Sequence, residues 1–306
     1  GKPAGIIPAA LHWPEGTIGG LGENWWDPRN HGEPTLYEWP SSMGAFTDAM
    51  LLTYTMAGNE EYLEPIRSMA RIRLNYLRQG RPTGEPGTEA WCAAKMGFLA
   101  GTIAKYRVLT GDTQFDDLLA GGGSAYLAFR LTGNREPLAA ALASNATAFS
   151  FNFPRYTSEV RWTDRVLRFP AVFVGEVKLA EPRFDVQQPR PELLYSTATG
   201  DPGGLGYFQM NAVRWLTRPR GIAALVKHAG PDAFSAEVFH FGDQPREMGA
   251  EFYLLQTGRY VLTVRPAAQA EGEPSQTMPF EVAGARAQVR FTVPAQTLCL
   301  VGVEKG

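Results

Sequence analysis

The chain has 306 residues, 44% of them hydrophobic, and a formal net charge of -2 from 29 Lys plus Arg against 31 Asp plus Glu. That length can bury a substantial core and supports roughly two domains of ordinary size. Balanced charge with no run of five like charges excludes a broad electrostatic footprint for nucleic acid or an anionic membrane, and no apolar stretch reaches the roughly 18 to 20 residues that span a bilayer.

The first thirty residues show no basic region followed by an apolar signal core. The chain opens on Gly1, not Met, which raises the expectation that it is processed or is the C-terminal portion of something longer. Residues 10 to 40 then hold four of the seven tryptophans (Trp13, Trp25, Trp26, Trp39), two of the four histidines (His12, His31) and the carboxylates Glu15, Glu23, Asp27, Glu33 and Glu38. Gly and Pro punctuate this stretch and no helical or strand period runs through it, so we read it as a long loop packed on the helices that come after it. Loops on a rigid scaffold are where binding and catalytic groups concentrate.

After Pro40, Ser41 and Ser42 offer an N-cap, and Phe46, Ala49, Met50, Thr53, Met56 and Ala57 recur at spacings of three and four, which predicts an amphipathic helix. Gly58 stops it and Asn59 caps the next, whose apolar face is Ile66, Met69, Ala70 and Leu77, with Pro65 near its first turn. A helix from Thr88 through Leu109 comes next. The ending of the first helix returns: Tyr54 to Gly58-Asn59 is echoed by Tyr106 to Gly111-Asp112 and Phe129 to Gly133-Asn134, the chemistry of tight helix-helix turns. Residues 41–151 are therefore expected to be an array of antiparallel helical hairpins. A further Thr199-Gly200-Asp201 runs into Pro202-Gly203-Gly204 and reads as a loop.

Residues 152–206 read as an irregular connector with one strand at 166–174. From 207 to 306, short apolar runs at 222–226, 236–241, 250–255, 259–264, 279–282, 287–293 and 297–303 are separated by turn residues, and 287–293 alternates apolar with polar. Seven short strands at that spacing predict an antiparallel β-sandwich. The fold class is thus α+β and multidomain. Cys92 and Cys299 fall in different parts and read as buried structural thiols.

Hairpins of the pattern YTMAGNEEYLEPI and YRVLTGDTQF, followed by a sandwich closing on VRFTVPAQTLCLVGVE, resemble the α/α-toroid enzymes of carbohydrate metabolism, which include glycoside hydrolases and polysaccharide lyases. The likeness covers residues 40 to 150 and 207 to 306. A complete toroid has many more helices than the five or six read here, so the resemblance implies a partial toroid, with the missing N-terminal part of a longer chain as a partner. It also implies a carbohydrate ligand.

Trp13, Trp25, Trp26 and Trp39, with Arg161 and Trp162 from the connector, are the candidate substrate-binding residues, because a flat apolar face with a polar edge suits a pyranose ring. The alternative is that the tryptophans staple the loop to the helices. Hydrolysis of a glycosidic bond needs two carboxyl groups, one protonated and one ionised. Asp27 and Glu38, each beside a Trp, Glu23, two residues before Trp25, and Asp164 are the candidates. A turn cap at Asp27 and solvated glutamates are the plainer alternative. Lyase chemistry would instead draw on Asn24, Arg29, His31 and Tyr37 to neutralise a uronate and move its α-proton. His12 and His31 lack a close ligand spacing, so no metal is expected, and no cofactor either. A non-catalytic glycan-binding or interaction module is the remaining alternative.

Overall fold

The structure, a computed structural model, describes residues 1–18, 24–26, 39–40, 43–80, 82–120, 124–152, 190–203, 208–218, 221–269, 272–284 and 286–306. Helices occupy the N-terminal half and antiparallel sheets the C-terminal part, the α+β class that the patterning predicts. The first element departs from prediction. Two short strands, β1 (Leu11–His12) and β2 (Thr17–Ile18), pair antiparallel inside the segment read as a loop. Gly16, at φ +68°, donates to the His12 carbonyl and closes the hairpin.

Helix α1 (Met43–Ala57) forms where expected but turns a different face inward. Met43, Thr47, Asp48 and Leu51 are buried, whereas Phe46 and Met56 of the predicted face are 48% and 81% exposed. Counting apolar residues misplaces the face because this helix buries polar side chains that have partners. Thr47 Oγ1 lies 2.7 Å from Thr102 Oγ1, and Asp48 meets Lys105.

Gly58 ends α1 in the left-handed region at φ +66°, and the Asn59 side chain accepts from Glu61 N, as the sequence predicts. A 3-10 turn (Glu60–Leu63) leads into α2 (Glu64–Gln79), with Pro65 in its first turn and Ile66, Met69, Ala70 and Leu74 buried. The predicted helix from Thr88 is two: α3 (Glu89–Lys95), capped by Thr88, and α4 (Leu99–Thr110), separated by a 3-10 turn at Met96–Phe98. Then come α5 (Asp116–Ala120), α6 (Ala125–Thr132), α7 (Glu136–Asn152) and α8 (Pro191–Thr199), the last inside the segment read as irregular.

Three helices end on one device. Thr110, Thr132 and Thr199 each donate back to the carbonyl four residues earlier, at 2.7 to 2.8 Å. The next residue, a glycine, is left-handed, and the one after it, Asp112, Asn134 or Asp201, accepts from the main chain two positions on. Each turn thereby satisfies donors and acceptors that a helix terminus otherwise leaves free. Thr199-Gly200-Asp201, read as a loop, is a full copy.

The sandwich comprises β3 (Val213–Trp215), β4 (Ile222–Ala229), β5 (Ala233–His240), β6 (Arg246–Phe252), β7 (Gly258–Pro266), β8 (Gln276–Val282), β9 (Ala287–Val293) and β10 (Leu298–Lys305). One sheet has the order β4-β5-β10-β7-β8 and the other β3-β6-β9. Alternate residues of both, among them Val238, Val264, Cys299 and Val301 from the first and Ala250, Phe252 and Phe291 from the second, share one core. Pro279 sits in β8, an edge strand, where a missing amide donor costs least.

The opposite edge, β4, carries a register shift between Val226 and His228, and helix α6 docks there. Tyr126 Oη donates to Val226 O at 2.9 Å and Arg130 Nη2 to Ala229 O at 3.3 Å. A second small core of Tyr126, Phe129, Leu138 and Leu193 packs against Leu225 of the same strand. A sheet edge is a pairing hazard unless covered, and α6 with α8 covers this one.

Candidate functional site

The N-terminal segment reaches the helices through tryptophan. Trp39 is fully buried and Trp25 almost so, and their rings meet edge to face at 6.1 Å between centroids. Trp39 also contacts Trp91 at 5.4 Å and Phe98 at 6.0 Å, while its indole N–H donates to Ile7 O at 3.0 Å. Trp26 is half-buried against Trp91 at 5.6 Å. Trp39 N donates to Trp26 O at 3.0 Å, so the main chain on either side of 27–38 is tied together.

Gly87 lets this cluster close. At φ +85°, a Cβ there would stand 2.6 Å from the Trp26 indole. Trp26 and Trp39 converge on Trp91, a residue that sequence reasoning misses. Its place in α3, among alanines that set the helical pattern, gives no local sign of a tertiary role.

The candidates therefore separate. Trp25 and Trp39 are buried in the helical core. Trp26 keeps a partly open face. Trp13 lies on the β1–β2 hairpin and is 92% exposed, with Leu11 and Ile18 exposed beside it. Asn24 is exposed. Glu23, Asp27, Arg29, His31, Tyr37, Glu38, Arg161, Trp162 and Asp164 lie outside the described residues. Among the described residues, no group of His, Cys, Asp and Glu is arranged to hold a metal ion, and no helix is long and apolar enough to cross a membrane.

Buried charge gathers elsewhere, between α1, α4 and the chain leaving α8. Lys105 Nζ donates to Asp48 Oδ2, which also accepts from Phe208 N at 3.1 Å. Asp201, fully buried, accepts on Oδ1 from Gly203 N and Met210 N, while its Oδ2 has no partner among the described residues. Burial pushes the Asp201 carboxyl above the usual carboxylate range, opposed by those main-chain donors and by Lys105. A Cβ at Gly203 would fall 2.2 Å from Lys105 Cε, so any larger residue there would displace the buried lysine. The group is closed to solvent, and we assign it to structure. Asp48 and Lys105 stand 57 residues apart in the chain and each looks like an ordinary surface charge, so the sequence does not announce the pair.

No protein-family model matches the sequence, and no curated protein does. Among solved structures, a Paenibacillus polymyxa xyloglucanase of glycoside hydrolase family 44 is similar over 29% of this chain and 18% of its own, at 12% identity and a TM-score of 0.22. A GH30 endoxylanase from Clostridium papyrosolvens is similar over 29% and 22%, at 12% identity and a TM-score of 0.21. KdgF from Halomonas sp. is similar over 30% of this chain and 88% of its own, at 14% identity and a TM-score of 0.17. The chain spans about a fifth of the length of the first two, and overlaps of this size assign no activity.

Proposed function

We propose that this chain is a carbohydrate-active protein that engages a polysaccharide or oligosaccharide along the aromatic faces of its N-terminal segment. The observation that carries the reading is Trp13. Tryptophan is highly buried on average, and a ring 92% exposed on a two-stranded ribbon beside Leu11 and Ile18 is an apolar platform facing water. Such a platform suits the C–H face of a pyranose. Trp26 offers a second, partly open ring nearer the helices. The resemblance of the hairpins and sandwich to α/α-toroid enzymes supports the same ligand class, and with it the division of the chain near residues 40, 151 and 206.

The reaction that this reading favours is glycoside hydrolysis by two of Glu23, Asp27, Glu38 and Asp164. Asp27 and Glu38 are the first pair to test, because they are the chain neighbours of Trp26 and Trp39, whose main chains are hydrogen-bonded. Incubation with a polysaccharide panel, followed by reducing-end release and by the ultraviolet absorbance of unsaturated uronates, separates the alternatives. New reducing ends without unsaturation, lost by about a hundredfold or more in Asp27→Asn or Glu38→Gln, support hydrolysis. Unsaturated products would transfer the chemistry to Asn24, Arg29, His31 and Tyr37. Binding without turnover would leave a glycan-binding module and remove the acid pair.

A further inference from the structure

A cleft of about 560 Å³ lies where α4 and α6 face the β4–β5 turn, and its lining includes no described residue of the N-terminal segment. That volume falls within the range of small-molecule sites, which favour junctions between structural units. Leu127, Leu131 and Met210 supply apolar wall, and Arg107, Arg130 and His228 supply the polar positions. None of the described lining residues is acidic.

The two arginines differ. Arg107 is met by Asp116, to which Nε donates at 3.1 Å, and also donates to Gly111 O. Arg130 has neutral partners: Nη1 donates to Tyr126 Oη at 3.2 Å and Nη2 to Ala229 O at 3.3 Å, with the guanidinium lying 5.9 Å from the Tyr126 ring centre. Those bonds occupy two of the five guanidinium N–H donors and hold the group in place. The positive charge is felt nearby, since burial and Arg130 together hold the His228 imidazole below its ordinary value. Of the acids behind the wall, Asp116 pairs with Arg107, and Asp201 accepts main-chain donors on Oδ1 while burial pushes its carboxyl above the usual carboxylate range.

We propose that this cleft binds a small organic anion, a carboxylate on an apolar body, anchored by the free N–H edge of Arg130. Among the described residues, Arg130 is met by no carboxylate, and one such cation matches one negative charge, so a monocarboxylate fits better than a phosphate dianion. The apolar wall favours a hydrocarbon body over the hydroxyl-rich body of a sugar acid. Arg130 is pre-organised by Tyr126 and Ala229, so little side-chain entropy remains to be lost on binding.

The test is isothermal titration of the full chain with benzoate, phenyl phosphate and glucuronate, without any polysaccharide present. Saturable binding is expected, with benzoate tightest. Arg130→Met should weaken benzoate by about ten- to a hundredfold, the range for losing a charge-assisted pair. Because Arg130 also ties α6 to β4, Leu131→Glu provides a second variant that leaves those bonds intact and sets a carboxylate in the cleft. It should weaken benzoate comparably while keeping the wild-type thermal transition. No saturable binding by the wild type, wild-type affinity retained in both variants, or tighter binding of phenyl phosphate or glucuronate than of benzoate would overturn the assignment.

Discussion

Lys105 Nζ lies 2.9 Å from Asp48 Oδ2, and the two side chains are 1% and 6% exposed. Each helix thus buries a charge that the other's meets, and this pair holds α1 against α4. Breaking a buried pair leaves one charge unmatched and costs about 3–5 kcal/mol. Lys105→Met should therefore lower the urea midpoint by that equivalent. The double variant Asp48→Leu with Lys105→Met should cost less than the sum of the single changes. Additive losses would show that the two residues act independently.

The glycine turns differ in what surrounds them. At Gly133 a Cβ meets nothing within 4 Å, whereas at Gly200 it would stand 2.8 Å from Ala212 Cβ and 3.0 Å from Val226 Cγ1. Gly133→Ala should cost about 1 kcal/mol, from the left-handed backbone alone. Gly200→Ala adds a clash between α8 and the sandwich and should cost about 1–3 kcal/mol more. Equal losses in thermal unfolding would mean that α8 is not seated on the sheet.

Burial pushes the Cys92 thiol up to about 12, only partly offset by the Lys2 ammonium. Folding therefore favours the protonated form. The resulting stability is intact below the ordinary thiol value of 9.0 and is lost as pH rises toward 12. Over that window the wild type should lose stability more steeply than Cys92→Ala by about 1.4 kcal/mol per pH unit. Parallel slopes would contradict it. In the folded protein neither Cys92 nor Cys299, both buried, should react with a thiol reagent until denaturant is added.

The sandwich is legible in the sequence because its strands alternate: Phe291 and Val293 point inward as the pattern of β9 predicts. The turn devices are legible wherever Gly and Asx stand between two long helical patterns, and Thr199-Gly200-Asp201 escapes because Pro202 and the glycines after it imitate a loop. The inward face of α1 is not legible, because its partners Thr102 and Lys105 come from a distant helix. The same holds for the cleft, where Arg130 and His228 line one wall beside a register shift in β4 that no local pattern announces. Among the candidate ligand tryptophans, composition does not distinguish Trp39 in the core from Trp13 in solvent, since only tertiary packing on Trp91 and Phe98 separates them.

Trp13 as a sugar platform is the central claim. Affinity electrophoresis of the full chain through gels containing a neutral plant polysaccharide tests it directly, with Trp13→Ala run alongside. The variant should fold as the wild type does, since the ring is 92% exposed. Retardation of the wild type, weakened about tenfold or more in Trp13→Ala, is the expected result. Equal retardation of both proteins, or none across a panel of neutral and acidic polysaccharides, would contradict it.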